Sequence, residues 1–291
     1  MNDNRFVASV LIPALALLTL FVAIPIIGSF VISMLDYNPL RDVNPFLGIK
    51  NYIKLLSDEV YVKAVKNSLV FVFVASAINI ALALLLAQCI SGIKRRSLRN
   101  LSLVAIFLPC VAPMANSAVV WSRSLFPTKV GLFNTILTSL GAAPVEWIGN
   151  AQMLMPSIIW FTVWADVGYN TILLTAGMEG VPKDFYDAAD IDGAGPILRF
   201  FRITMPLLGR TFSFITAMTM ISHFQMFAQF MIFARNGGAG NAGRVLTSYI
   251  YYVGFTVRNM GHASAISVTL FFIILIFTLV QQRLNRVDWG Y

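Results

Sequence analysis

NSLVFVFVASAINIALALLLAQCIS, residues 67–91, separates Lys66 from the Lys94-Arg95-Arg96 cluster without one charged side chain. The run is too long for a buried strand and has the length an α-helix needs to cross a bilayer, about 20 residues. Comparable runs lie at 8–34, 101–121, 154–177, 208–233 and 263–283. The expected fold is therefore an all-α membrane protein with about six transmembrane helices. Composition agrees: 58% of residues are hydrophobic, 12% are charged and mean hydropathy is +0.76. A soluble domain carries about 45–50% apolar and about 25% charged residues. Only a bilayer can act as solvent for so much apolar surface.

Six spans within 291 residues leave room for loops but not for a second globular domain. The expectation is a single transmembrane domain over 1–291, with a core of about 8–283. Pro13 and Pro25 in the first run, and Pro109 and Pro113 in the third, each break a helical hydrogen bond. Such helices need neighbours to satisfy the freed carbonyls, which argues for a packed bundle. Cys89 and Cys110 both fall inside apolar runs and read as buried small hydrophobes. The net charge of +8 comes from scattered basic residues, which suits topology control better than nucleic-acid binding. With the N-terminus cytoplasmic, the inside loops hold as many Lys and Arg as the outside loops in far fewer residues. The densest cluster is Lys94-Arg95-Arg96 with Arg99. Both termini are thus expected inside, with Trp289 and Tyr291 resting at the membrane interface.

The loop at about 180–207 is the most informative segment between runs. Pro182 suits the first position of a short helix, and Asp184 and Asp187 suit its positive N-terminal end. Ala188 and Ala189 offer a smooth surface, and Gly193, Gly195 and Pro196 break the chain and begin a second segment. Phe200, Phe201 and Ile203 make that segment apolar on one side. A helix–turn–helix with a small-residue surface suits docking into a groove on another protein.

Here the sequence resembles a known family. Asp187-Ala188-Ala189, three residues, Gly193, nine residues, Ile203, one residue and Met205-Pro206 are similar to the EAA motif of binding-protein-dependent ABC importer permeases. Asp stands in place of Glu, and Met in place of Leu. Lys50-Asn51-Tyr52 through Asn67-Ser68-Leu69, and Arg235-Asn236-Gly237-Gly238 with Thr247-Ser248-Tyr249-Ile250-Tyr251, resemble the carbohydrate branch, and the latter its MalF-like subunit. The resemblance implies a cell inner membrane permease forming half of the pathway for a sugar delivered by an extracytoplasmic binding protein. It also implies a heterodimer with a second, MalG-like permease and two cytoplasmic ATPase subunits that use ATP and Mg. This chain itself carries no cofactor. Asp187, Ala188, Ala189, Gly193 and Pro206 would form the coupling helix region seated on the ATPase.

Polar residues inside apolar runs are costly and tend to face a cavity or a partner helix. Asp166, Tyr169, Asn170 and Asn116 stand out, with Trp121 nearby. Ser222, Gln225, Met226 and Gln229 follow helical spacing and share one face. They form a candidate substrate pathway for a sugar, polyol, glycerol phosphate or uronic-acid oligosaccharide, and Asp166 has the alternative of pairing with a cation such as an arginine. Interhelical packing is the competing reading for each residue. No P-loop motif occurs, so the chain does not hydrolyse ATP itself. Gly238-Ala239-Gly240-Asn241-Ala242-Gly243 fits a dinucleotide pattern but follows no strand, and reads as a flexible outside loop. His223 and His262 sit at unrelated depths, no metal cluster or catalytic constellation assembles, and an enzyme is not expected. An ATP-independent secondary transporter is the alternative from another class, although internal repeats are absent.

Overall fold

In a computed structural model, residues 3–284 are described, and the expectation for Trp289 and Tyr291 falls outside them. The elements are helical throughout; among the described residues the only β pairing is the isolated bridge Leu35–Phe46. The helices are α1 Ala8–Ser33, α2 Lys50–Leu56, α3 Glu59–Ser91 and α4 Arg96–Val111. Then follow α5 Met114–Val120, α6 Leu132–Ser139, α7 Ala151–Glu179, α8 Lys183–Ile191 and α9 Pro196–Arg199. The remainder are α10 Gly209–Gln225, α11 Ala228–Phe233, α12 Leu246–Tyr251 and α13 Met260–Leu284.

By length and composition, α1, α3 and Met260–Arg283 suffice to cross a membrane, and Arg96–Val111 with Met114–Leu125 makes a fourth if it is one span. Three of the six expected runs depart from a single continuous, strongly apolar helix. The third run is bent by 89° because Ala112 and Pro113 are extended, as the residue before proline prefers. α7 is long enough, at 29 residues, but buries Thr162, Asn170, Thr171 and Thr175, which dilute its hydropathy. The fifth run breaks where Met226 turns extended.

Two prolines use the same device. The carbonyls four residues before Pro25 and Pro206 belong to Phe21 and Arg202, which lie in the π-helical turns Thr19–Ala23 and Phe200–Thr204. A proline ring clashes with that carbonyl in a regular α-helix, and the wider turn relieves the clash.

The chain divides into two compact units. The first comprises Met1–Val62 and Leu246–Ile273. In it, Asn51 Nδ2 donates to the Ser33 and Leu35 carbonyls at 2.8 and 2.9 Å, pinning α2 to the end of α1. Gly261 lies so close to the Leu35 carbonyl that a Cβ would sit 2.0 Å from it. Phe30 packs edge-on against Phe271 and Phe272.

The second unit comprises Lys63–Val245 and Ile274–Tyr291. Its core joins Ala83 and Ala87 of α3, Leu174 and Met178 of α7, and Ile215 of α10. α4 lies directly on α7 at Gly168, where a Cβ would come within 2.2 Å of the Ile106 carbonyl. The glycine-rich segment 237–243 is tethered, which corrects the flexible-loop expectation. Asn67 Nδ2 donates to the Asn241 and Arg244 carbonyls at 3.0 and 2.9 Å, and Lys63 Nζ to the Gly240 carbonyl at 2.6 Å. Gly237 and Gly238 have φ of +94° and +71°, and a Cβ on Gly238 would meet Leu154. The dinucleotide-like spacing therefore serves a tight turn.

Candidate functional site

α8 and α9 form the expected helix–turn–helix. α8 begins after Pro182, which is its N-cap rather than its first residue. It ends in a Schellman motif: Gly193 N–H donates to Asp190 O at 3.1 Å and Ala194 N–H to Ala189 O at 2.9 Å. Gly193 has φ +70°, the left-handed conformation that this cap requires. The spacing from Ala189 to Gly193 is thus the spacing from the third-last helical residue to its terminating glycine. Tyr186 and Thr204 hydroxyls meet at 3.0 Å, and Arg199 pairs with Asp190, so the two segments are braced across the turn.

Asp187 and Ala188 are exposed on α8. Ala189 is 7% exposed, so its methyl fills the inner face and does not form part of the surface expected there. Pro206 shapes the π turn behind the loop. The sequence reading missed Ile191 and Ile197, which flank the turn at 87% and 75% exposure, with Phe201 also exposed. Two isoleucines beside the paired glycines of an otherwise charged loop were the available signal. Behind the loop lies a cavity of about 640 Å³ whose walls include Arg99, Glu179, Lys183 and Tyr186. Arg99 Nη2 pairs with Glu179 Oε1 at 2.6 Å.

A second cavity, of about 390 Å³, opens between α4, α7 and α10. α7 contributes Asp166, Tyr169 and Asn170, and α4 contributes Phe107 and Cys110. Met218, Thr219, Ser222 and His223 line it from α10. Asn170 Nδ2 donates to Asn79 Oδ1 at 2.7 Å and to Thr219 Oγ1 at 2.9 Å. Asp166 Oδ2 faces His223 Nε2 at 3.5 Å, so its nearest such neighbour is a histidine and not an arginine. His223 Nδ1 in turn lies 2.8 Å from Ser76 Oγ.

Four of the eight pathway residues thus converge: Asp166, Tyr169, Asn170 and Ser222. The other four do not. Gln225, the last residue of α10, is exposed and does not line the cavity; the chain turns extended at Met226, so Met226 and Gln229 leave the face that Ser222 occupies. Gln229 is buried and bonds Met226 Sδ through Nε2 at 2.7 Å. Asn116 is exposed on α5, away from the cavity lining. Trp121 is also elsewhere, ringed by Phe126, Phe133, Trp160, Phe161 and Trp164 at 4.9–5.5 Å. Cys110 lines the cavity half-buried and Cys89 is exposed, so neither is the fully buried hydrophobe expected.

Residues 65–287 match the family model described as binding-protein-dependent transport system inner membrane component. The chain is 30% identical over 97% of both lengths to the probable ABC transporter permease protein YurN of Bacillus subtilis (strain 168). It is 31% identical to the arabinooligosaccharides transport system permease protein AraP of the same organism, over 91% of this chain and 83% of AraP. Among solved structures, a bacterial alginate ABC transporter in complex with alginate pentasaccharide-bound periplasmic protein shares the fold. Its TM-score is 0.86 at 18% identity, covering 98% of this chain and 95% of that one. With its braced helix–turn–helix and its polar cavity between apolar helices, the chain belongs to the inner membrane components of binding-protein-dependent transport systems, permeases of ABC importers rather than enzymes.

Proposed function

We propose that the chain acts as a single permease domain supplying one of two halves of a carbohydrate import pathway. Its partners would be a second, MalG-like permease, two cytoplasmic ATPase subunits and an extracytoplasmic binding protein, with ATP and Mg consumed on the ATPases. The carbohydrate class follows AraP, whose name gives arabinooligosaccharides, and the alginate transporter of the same fold.

The observation that carries the coupling role is the braced α8–α9 turn, with Asp187, Ala188 and the side chains of Ile191 and Ile197 facing outward. Apolar side chains this exposed beside a rigid turn suit an apolar groove on a neighbouring subunit. Closure of the ATPase pair would displace the turn, and α7 would pass that motion to the cavity as rigid-body alternating access. Asp166, Tyr169, Asn170 and Ser222 would meet the solute.

Mild-detergent purification of the tagged chain from its native host tests the assembly. A second permease and an ATPase in two copies are the expected companions. Recovery of the chain alone, still moving solute in ATP-free liposomes, would overturn the reading in favour of a secondary transporter.

A further inference from the structure

We propose that Asp166 makes this cavity a filter against anions, so that the favoured solute is an uncharged or amine-bearing carbohydrate rather than one bearing carboxylates or phosphates. The inference rests on the reading of the cavity as the translocation pathway.

The chain as a whole carries a formal net charge of +8, yet among the described residues no lysine or arginine lines the cavity, and its one formally charged lining residue is acidic. A carboxylate among apolar helices is expensive, so its retention calls for a local reason. Asp166 is not buried as packing: its side chain is 28% exposed, whereas that of His223 is 1%. His223 Nε2 lies 3.5 Å from one carboxylate oxygen and the ring is fixed on its far side by Ser76. The Asp166 carboxylate therefore borders the open volume while the histidine lies behind it.

The remaining polar lining from Tyr169, Asn170, Thr219 and Ser222 is neutral and suits hydroxyl groups on a solute. A neutral sugar meets hydrogen-bonding partners at no electrostatic cost. A solute carboxylate or phosphate meets a like charge between low-dielectric walls, where repulsion is weakly screened. An ammonium gains from the same field.

Cys110 lies in the same lining and reports the field without knowledge of the solute. In the assembled importer carrying Cys89→Ser, Cys110 is the chain's only thiol. Three methanethiosulfonates of similar size serve as probes: ethyltrimethylammonium, hydroxyethyl and ethylsulfonate. In each case the thiolate attacks the reagent sulfur, a mixed disulfide forms and methanesulfinate leaves, and the mass of this chain reads the modification. Rates are normalised to those with a small free thiol.

The cation should outrun the anion by about tenfold, Asp166→Asn should bring the ratio to within about twofold of unity, and Asp166→Glu should keep the preference. Equal normalised rates in the parent, or an unchanged ratio in Asp166→Asn, would overturn the filter while leaving the pathway standing. If none of the reagents reaches Cys110, the pathway reading itself fails, and the filter with it.

Discussion

Asn51 and Asn67 show why short resemblances to a family carry structural weight. Each amide nitrogen spans two backbone carbonyls: Ser33 and Leu35 for one, Asn241 and Arg244 for the other. A buried polar group left unpaired costs roughly 1–3 kcal/mol. Asn51→Leu should therefore lower the thermal midpoint in detergent, whereas Leu56→Ala, at an exposed site on the same helix, should not. Gly168 poses the opposite demand, for nothing beyond hydrogen. Its would-be Cβ lies 2.2 Å from backbone that cannot swing aside, so Gly168→Val should separate α4 from α7 at a cost of at least about 1–3 kcal/mol. An unchanged midpoint in either variant would contradict the packing described. Neither role was legible beforehand: the sequence shows an asparagine or a glycine, but not which carbonyl lies beside it.

Among elements, the helix–turn–helix was the most legible because its signals are local. Pro182, Gly193 and Pro196 mark helix ends by their own backbone preferences, and the structure uses each at such an end. The run 208–233 was misread because apolar composition persists through the break at Met226, where no proline or glycine announces it. That break is why Met226 and Gln229 leave the cavity face. The bend at Ala112–Pro113 was signalled by proline, but its 89° was not. Gly193 gives the element-scale prediction. An L-residue in the left-handed region costs about 1–2 kcal/mol, and no atom would clash with a Cβ there, so Gly193→Ala should couple weakly. Proline cannot adopt that φ and loses the N–H donated to Asp190. Gly193→Pro should insert and assemble, yet abolish ATP hydrolysis stimulated by loaded binding protein in proteoliposomes. Stimulation at the parent level in the proline variant would remove the turn from the coupling role.

At the scale of the molecule, the second unit sorts its own loops into two sides. The Arg99–Glu179 ion pair brings the segment after α3 beside the end of α7 and its helix–turn–helix. Lys63 and Asn67, at the other end of α3, hold the turn at 237–243. α3 has 33 residues, about 50 Å at 1.5 Å per residue, against a hydrocarbon core of about 30 Å, so those two groups emerge on opposite faces of the membrane. Lys94, Arg95, Arg96 and Arg99 then join Lys183, Arg199 and Arg202 on one face. Cytoplasmic loops attract such an excess of basic residues, and an ATPase can reach the turn only from that face. Lys94 and Ala239 are both exposed, which makes them suitable reporters in a cysteine-free background. In intact cells, Ala239→Cys should react with a membrane-impermeant maleimide, and Lys94→Cys only after permeabilisation. The reverse pattern would place the helix–turn–helix outside, where no ATP-driven subunit could engage it, and the coupling role of Ile191 and Ile197 would fall with the orientation.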